Sequence, residues 1–217
     1  MIPEAFRFIA IEGPIGVGKT TLARRLGDEL GAELLLEKPA DNPFLTRFYQ
    51  DPPRYALPTQ LTFLFERVDQ FRSAAQGRLF QQRLVSDFVF QKDALFAKLT
   101  LSNTEYGFYT KVFQYLDPEV PRPDCVIYLR APAERLQERI AQRGRAMERG
   151  MPADYLRRLC DEYALFFDRY DDAPVLTVDT EAFNPAARAA HFALLLDALR
   201  LLPETRRLVL TPHTEAI

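Results

Sequence analysis

Cysteine and histidine are scarce in this sequence. Its 217 residues include two cysteines, Cys125 and Cys160, which do not form a Cys-x-x-Cys pair. This content argues against a disulfide scaffold and fits a reducing compartment. The two histidines, His191 and His213, are separated in the chain and belong to no cluster of cysteine and histidine ligands. We therefore expect neither a zinc-type site nor a fold that depends on disulfides.

An excess of charge of one sign and long hydrophobic runs are also missing. The formal net charge is −2 and the isoelectric point is near 5.8, whereas nucleic-acid-binding domains usually carry a basic surface. The longest apolar stretch, residues 192–202, contains Asp197 and Arg200, so it cannot span a bilayer. The first residues lack the charged and apolar regions of a signal peptide. We expect a soluble cytoplasmic protein that has neither a nucleic acid nor a membrane as its partner.

Short apolar runs alternate with helical patterns along the chain. The expected strands are 6–12, 32–37, 84–87, 125–129 and 175–179, and the expected helices are 20–30, 55–77, 103–116, 132–143, 152–170 and 185–202. This alternation predicts an α/β domain with a parallel sheet, helices on both faces and ligands at the carboxyl ends of the strands. We expect one domain over residues 1–203 and a tail over 204–217, in which residues 207–210 are either a further strand or part of a loose tail.

A complete phosphate-binding motif follows the first expected strand. Gly13, Gly18, Lys19 and Thr20 match the pattern Gly-x-x-x-x-Gly-Lys-Thr, with an apolar strand before it and a helix after it. Such glycines let backbone N–H groups converge on phosphate oxygens, and the helix N-terminus adds positive charge. We expect Lys19 to reach the β- and γ-phosphates of ATP and Thr20 to hold Mg²⁺. The full predicted set that binds the donor phosphates from this loop is Gly13, Gly16, Gly18, Lys19, Thr20 and Thr21.

An arginine cluster favours a kinase among the enzymes that carry this loop. The Asn-Lys-x-Asp segment that reads guanine in a GTPase is absent, and arginines instead occur at 135, 139, 143, 145 and 149. Arg139 and Arg143 lie four residues apart and share a helix face, and Arg145 follows in a glycine-containing loop. We expect Arg139, Arg143 and Arg145 to form a lid that neutralises the transferring phosphoryl group. For Arg135 and Arg149, a solvated helix face is the alternative.

Two acidic residues end expected strands beside the phosphate loop. Glu37 ends the second strand and Asp87 ends the third. A carboxylate at this edge of the sheet can accept a proton from an attacking hydroxyl or anchor Mg²⁺. From their positions alone, either role is open to Glu37 and to Asp87.

With these motifs in place, residues 8–183 resemble the deoxynucleoside kinase family, and the bacterial purine deoxynucleoside kinases in particular. The family transfers the γ-phosphate of a nucleoside triphosphate to the 5′-hydroxyl of a deoxynucleoside. Segments that support the resemblance include Leu36-Glu37-Lys38-Pro39 and Lys92-Asp93-Ala94-Leu95-Phe96. The resemblance implies a P-loop kinase fold, with a five-stranded parallel sheet of order 2-3-1-4-5, flanking helices and an arginine-rich lid.

The resemblance also implies roles for single residues. The set consists of Glu37 as general base, Tyr49 and Glu148 as ligands of the sugar 3′-hydroxyl, Gln60 and Arg67 as readers of the base edge, and Asp93 as the acid that holds Arg67. Gln60 and Arg67 are seven residues apart on one expected helix, so both project from nearly the same face. The expected catalytic residues are Lys19, Glu37, Arg139 and Arg143. The aromatic wall for the base is either Phe44 or Phe63.

One segment departs from the family pattern. The family has an acidic residue, an arginine and a serine where this chain has Asp87, Phe88 and Val89. The acid is kept, and the resemblance implies that Asp87 holds Mg²⁺ together with Thr20. The positive charge that positions the acids and phosphates in the family is lost at Phe88. Arg139 and Arg143 are candidates to compensate for it. Lys38, which separates Glu37 from Pro39, is a second departure.

The sequence thus predicts an ATP- and Mg²⁺-dependent deoxynucleoside kinase of nucleotide salvage. The charged residues Arg67 and Asp93 at one ring edge favour a purine deoxynucleoside or deoxycytidine over thymidine as acceptor. A nucleoside monophosphate kinase, or a weakly catalytic nucleotide-binding subunit, is the alternative. The family resemblance also implies a homodimer formed through helices, although the apolar stripes of the expected helices 55–77 and 103–116 would serve an internal core equally well.

Overall fold

The computed structural model describes residues 2–77, 83–145, 148, 151–181 and 183–211. One parallel sheet of six strands, in the order β2-β3-β1-β4-β5-β6, forms its centre. The strands are β1 (Phe8–Glu12), β2 (Glu33–Leu35), β3 (Leu84–Ser86), β4 (Cys125–Arg130), β5 (Val175–Asp179) and β6 (Arg207–Leu210). The helices are α1 (Lys19–Leu30), α2 (Leu45–Gln50), α3 (Pro52–Gly77), α4 (Lys92–Thr100), α5 (Asn103–Leu116), α6 (Ala133–Arg143), α7 (Ala153–Arg169) and α8 (Ala189–Thr205).

The predicted fold class is confirmed, with one correction to the sheet. The five predicted strands occur in the expected order, but a sixth strand, β6, pairs in parallel with β5. It forms because Arg206, the residue after α8, adopts the left-handed conformation (φ 57°), which turns the chain back toward the sheet, and Leu210 is then buried. Residues 207–210 are therefore a strand and not a loose tail. The rest of the expected tail, residues 212–217, lies outside the described residues.

Burial of both faces of the sheet explains why the strands appear in the sequence as continuous apolar runs. Every residue of β1 is buried, and so are the first five residues of β4. Strands covered by helices on both faces bury both sets of alternating side chains, so they appear in the sequence as continuous apolar runs rather than alternating patterns. β1 lies between β3 and β4 in this sheet.

The helices agree with the sequence where the apolar pattern is long. The bounds of α5 match those predicted; its N-terminus has a capping box in which Ser102 and Glu105 satisfy each other's backbone N–H groups. Two short helices, α2 and α4, were not predicted, because six and nine residues hold too few turns for a clear period. No helix among the described residues is both long enough and apolar enough to cross a membrane.

The sheet places the expected functional residues at one edge. The carboxyl ends of β1, β2 and β3 are adjacent, and they are followed by the phosphate loop, Glu37 and Asp87. The phosphate loop turns sharply between β1 and α1, with positive φ angles of 150° at Gly13 and 85° at Gly16. Gly18, at φ 106°, caps the N-terminus of α1 in the left-handed conformation.

Candidate active site

A cleft of about 340 Å³ opens above these strand ends. This volume lies within the roughly 300–1,000 Å³ that is typical of small-molecule sites. Most of the residues predicted to bind or react with substrates line it, namely Gly16, Lys19, Thr20, Glu37, Tyr49, Gln60, Arg67, Asp87, Asp93, Arg143, Arg145 and Glu148. The fold therefore brings together residues that are up to 132 positions apart, from Gly16 to Glu148.

Lys19 lies at the phosphate end of the cleft. Its Nζ donates hydrogen bonds to the carbonyl oxygens of Gly13 (2.6 Å) and Pro14 (3.3 Å). Burial, helped by the neighbouring positive charge of Lys92, lowers the pKa of Lys19 from its ordinary value. An ammonium ion with little water around it interacts strongly with an anion, so this position suits a phosphate group.

Asp87 links the phosphate loop to the segment that carries Glu37. The Thr20 hydroxyl donates to Asp87 Oδ2 at 2.5 Å, and the Glu37 backbone N–H donates to Asp87 Oδ1 at 2.7 Å. A hydroxyl and a carboxylate at this distance provide the hard oxygen ligands that Mg²⁺ prefers, alongside phosphate oxygens and water. The two residues predicted to hold the metal ion are thus in contact, and their chemistry fits that ion.

Glu37 is held by two cations. Lys92 Nζ contacts Glu37 Oε1 at 2.7 Å, and Arg67 bonds the same oxygen through Nη2 and through Nε, the latter at 3.0 Å. Burial alone would raise the pKa of Glu37, but Lys92, Arg67 and Lys19 outweigh burial and hold the pKa well below its ordinary value. Glu37 is therefore ionised at neutral pH. Among the described residues no hydrogen-bond partner reaches its second oxygen, Oε2, which leaves that oxygen free for a substrate hydroxyl.

The predicted base readers form a second part of the cleft. Arg67 also forms an ion pair with Asp93 Oδ1, so its guanidinium joins Glu37 to Asp93. Asp93 Oδ2 is buried and has no hydrogen-bond partner among the described residues, and burial raises the pKa of Asp93 to about 6 against the opposing charge of Arg67. Gln60 donates from Nε2 to Thr100 Oγ1 at 3.2 Å. The ring of Phe63, 5.0 Å from the Arg67 guanidinium, lines the cleft, whereas Phe44 does not.

The predicted sugar ligands meet one lid arginine. Arg143 Nη2 forms an ion pair with Glu148 Oε1 at 2.6 Å, and Glu148 Oε2 is buried without a partner among the described residues. Burial and the nearby charge of Glu148 raise the pKa of the Tyr49 hydroxyl, so Tyr49 stays neutral and can donate a hydrogen bond. Tyr155, which sequence reasoning missed, lines the cleft beside them. These groups offer both donors and acceptors to a hydroxyl.

Four predicted residues are placed differently. Arg139 donates to the side-chain and backbone oxygens of Thr180 at 2.9 and 2.6 Å and does not line the cleft. The side chain of Thr21 is exposed on α1, away from the cleft. Gly13 and Gly18 shape the phosphate loop without lining the cleft. The roles of these four in binding or catalysis stay predictions, and Arg149 lies outside the described residues.

Phe88, the departure noted in the sequence, is fully buried. Its ring packs edge-on against Phe71, with centroids 5.5 Å apart. The Arg67 guanidinium lies 5.6 Å and Lys92 Nζ lies 5.9 Å from the centre of the Phe88 ring. Two cations that contact Glu37 thus lie beside this apolar side chain. Lys92 was not predicted as a site residue; the only signal in the sequence was its position directly before Asp93.

Comparisons with known proteins identify the family of this chain. The sequence model of the family "Deoxynucleoside kinase" matches residues 9–195. The chain is 34% identical to the deoxyguanosine kinase of Bacillus subtilis (strain 168) over 81% of this chain and 87% of that protein. It is 32% identical to the deoxyadenosine kinase of Dictyostelium discoideum over 94% of this chain and 89% of that protein. The structure of the deoxyadenosine kinase from M. mycoides with bound dATP superposes with a TM-score of 0.78, at 26% identity, over 89% of this chain and 98% of that one.

Proposed function

Because this chain belongs to the deoxynucleoside kinase family and therefore phosphorylates a deoxynucleoside with ATP, we propose that its acceptor is a purine deoxynucleoside or deoxycytidine rather than thymidine. The observation that carries this proposal is the buried ion pair of Arg67 and Asp93 in the lining of the cleft. The free oxygen Asp93 Oδ2 can accept a hydrogen bond from the exocyclic amine of adenine or cytosine. Thymine has no exocyclic amine to satisfy this buried oxygen.

The proposed acceptor pose extends from Asp93 to Glu37. Gln60 offers a donor and an acceptor to the base edge, while Tyr49 and Glu148 bind the 3′-hydroxyl. Names of relatives support the acceptor class, since one B. subtilis relative, 32% identical, is a deoxyadenosine/deoxycytidine kinase. The 5′-hydroxyl then faces Glu37 Oε2.

We propose that the phosphate loop and lid bind ATP with Mg²⁺. Backbone N–H groups of the loop and Lys19 bind the β- and γ-phosphates, Thr20 and Asp87 hold the metal ion, and Arg143 and Arg145 close over the transferring group. When bound, the metal ion neutralises negative charge that develops on the phosphate oxygens. Of the predicted lid residues, Arg139 would have to leave Thr180 to join them.

Glu37 positions the acceptor more than it drives proton removal. Its pKa lies below the ordinary value because two cations hold it, so it is a weak base. A loose phosphoryl transition state needs little proton removal early on. The ionised carboxylate aligns the 5′-hydroxyl with the γ-phosphate and takes its proton late in the transfer. Alignment of this kind lowers the barrier mainly through proximity and orientation.

The alternative of a nucleoside monophosphate kinase is less compatible with the cleft. An acceptor phosphate on the 5′ oxygen needs its own cationic site, whereas the 5′ end of the proposed acceptor faces the ionised carboxylate of Glu37, whose Oε2 has no hydrogen-bond partner among the described residues. Repulsion between that carboxylate and a phosphate disfavours a monophosphate acceptor.

A steady-state panel of the four deoxynucleosides, their ribonucleosides and dAMP, with ATP and Mg²⁺, tests the proposal. We expect the highest kcat/KM on deoxyadenosine, deoxyguanosine or deoxycytidine. Phosphorylation of thymidine alone would overturn the acceptor class, and a preference for dAMP over deoxyadenosine would favour the alternative. In the same assay Glu37→Gln should lose about 10²- to 10⁴-fold in kcat, the usual contribution of a positioned proton acceptor.

We further propose that the protein is a cytoplasmic homodimer. Three large apolar side chains are exposed on adjacent helices, Phe65 on α3 and both Phe108 and Tyr115 on α5. Phe108 and Tyr115 are seven residues apart and so lie on one face of α5. An exposed apolar patch of this kind usually marks an interface.

A further inference from the structure

A lysine is buried beside the cleft without lining it. Lys92, in the first turn of α4, is 2% exposed. Its Nζ lies 2.7 Å from Glu37 Oε1 and 3.5 Å from Glu12 Oε2. Burying an ammonium ion costs several kcal/mol unless it is well paired. If Lys92 only filled space in the core, an apolar side chain would do so without this cost. The pairing of Lys92 with two buried carboxylates therefore indicates a further role.

Glu12 connects this lysine to the phosphate loop. It is the last residue of β1, it is 0% exposed, and it accepts hydrogen bonds from the Gly13 N–H and the Tyr163 hydroxyl, both at 2.9 Å. Its other oxygen accepts the N–H of Val89 at 2.7 Å. Glu12 is thus fixed by three donors from three parts of the chain. Lys92 therefore contacts both Glu12, which is held in place at the start of the phosphate loop, and Glu37.

Arg67 alone cannot fix Glu37 in the same way. Its guanidinium is shared between Glu37 and Asp93, which belongs to the base-reading part of the cleft. A base that moves Asp93 also moves Arg67, and Glu37 would follow. The Lys92 contact makes the position of Glu37 depend on β1 and the phosphate loop as well.

We propose that Lys92 is a positioning residue for phosphoryl transfer, which holds Glu37 at a fixed place relative to the phosphate loop through the bridge Glu12–Lys92–Glu37. This inference rests on the proposed role of Glu37 in the deoxynucleoside kinase reaction. Lys92 acts through Glu37 and needs no contact with either substrate. Its loss would leave substrate binding nearly intact and would weaken the alignment of the 5′-hydroxyl.

The test compares Lys92→Met with Lys92→Arg, and with Lys98→Met as a matched control. Lys98 is on the same helix but is 59% exposed and pairs with Glu162 outside the cleft. We expect Lys92→Met to lose about 10²-fold in kcat while the KM values for ATP and deoxynucleoside change by less than about threefold, as expected for an interaction made chiefly in the transition state. Lys92→Arg should recover most of kcat, and Lys98→Met should match the wild type.

The turnover per folded molecule separates this role from a purely structural one. A side chain that only stabilises the fold changes the amount of folded protein, whereas a positioning residue changes kcat of the folded protein while KM stays nearly the same. The charged and titratable groups around Lys92 and Glu37 include Glu12 on β1, Lys19 on α1, Arg67 on α3, Asp87 after β3, Asp93 on α4 and Tyr163 on α7. All of them remain in Lys92→Met, so the loss of kcat reports the loss of Lys92.

Folding is measured alongside activity, because removal of one partner from a buried ion pair can unfold a protein. If Lys92→Met does not fold, the double variant Glu12→Gln/Lys92→Met removes both charges, with Glu12→Gln as its reference. The same loss of kcat is expected relative to that reference. Wild-type kcat, or a loss of activity that only follows the loss of folded protein, contradicts the inference.

Failure of the inference and failure of the proposed function give different results. If the wild type phosphorylates deoxynucleosides and Glu37→Gln is inactive, but Lys92→Met behaves as the wild type, the inference alone is wrong. If the wild type phosphorylates no nucleoside, the proposed function is wrong and the inference falls with it.

Discussion

The Thr20 hydroxyl donates a hydrogen bond of 2.5 Å to the Asp87 carboxylate, which joins the first residues of α1 to the end of β3. Thr20 belongs to the start of α1, Asp87 directly follows β3, and both line the cleft. Because a hydroxyl next to a carboxylate suits Mg²⁺, this contact marks where the metal ion of the donor is expected.

Asp87→Asn should raise the Mg²⁺ concentration that gives half-maximal activity by about 10- to 100-fold, the usual effect of weakening groups around a metal site. The amide keeps the shape of the side chain but loses its negative charge. Initial rates measured against free Mg²⁺ at fixed ATP show the change. Asp69→Asn, at an exposed acid on α3, is the control and should leave the Mg²⁺ curve in place. An unchanged curve for Asp87→Asn would remove Asp87 from the metal site.

The raised pKa of Asp93 predicts a pH-dependent choice of base. This pKa is about 6, because burial outweighs Arg67 and Lys92, so the carboxyl is mostly ionised at pH 7 and mostly protonated at pH 5. The ionised form accepts from the amine of adenine, whereas the protonated form donates to the O6 of guanine. We expect the ratio of kcat/KM for deoxyguanosine to that for deoxyadenosine to rise as the pH falls through about 6.

The ratio of two acceptors isolates Asp93 from the other titrating groups. Glu37 and Lys19 act on both nucleosides, so their effects cancel in the ratio. Asp93→Asn has no proton to lose, and its ratio should be flat between pH 5 and pH 7.5. A ratio that depends on pH equally in the wild type and in Asp93→Asn would show that another group sets it.

The site shows where sequence reasoning succeeds and where it stops. The phosphate loop was predictable because a local backbone conformation needs glycines at set positions, and Gly16 and Gly18 do adopt positive φ angles. Lys92 was not predictable, because its role depends on α4, a helix too short to show a period, and on burial against Glu12 and Glu37 from distant parts of the chain. A lysine in a sequence is usually a surface charge.

The direction of a long side chain is similarly hidden from the sequence. Arg139 and Arg143 share one face of α6, yet Arg143 contacts Glu148 whereas Arg139 contacts Thr180 after β5. The spacing of four residues determines the face, and the neighbouring strand determines which partner each guanidinium reaches. The same limit applies to β6, whose four residues form a strand only because α8 ends in a left-handed turn beside β5.

The exposed apolar side chains on α5 predict the assembly. Phe108 and Tyr115 are 53% and 79% exposed. If they lie in a dimer interface, the double variant Phe108→Asp/Tyr115→Asp should sediment as a monomer at concentrations where the wild type is a dimer, because aspartate in an apolar interface lacks a partner. Leu165→Asp changes a residue on α7 that is 51% exposed, close to the value for Phe108, and should not alter sedimentation. A wild type that is monomeric at micromolar concentration would contradict the proposed dimer.

The approach of Gly13 to β4 allows a prediction about stability and nucleotide binding together. Gly13 has φ 150°, and a Cβ atom added there would lie 2.2 Å from the carbonyl oxygen of Leu129, a backbone atom that the sheet holds in place. Gly13→Ala must therefore shift the phosphate loop. We expect a loss of more than about 2 kcal/mol in the free energy of unfolding, the range of substitutions that force a clash or backbone strain, and at least about tenfold weaker ATP binding.

Gly107→Ala is the matched control: a Cβ on this α5 residue meets no atom within 4 Å, and alanine favours a helix over glycine by about 1 kcal/mol. Thermal unfolding and calorimetric titration with ATP measure both effects, and a Gly13→Ala protein with wild-type stability and affinity would show that the loop does not need this close contact.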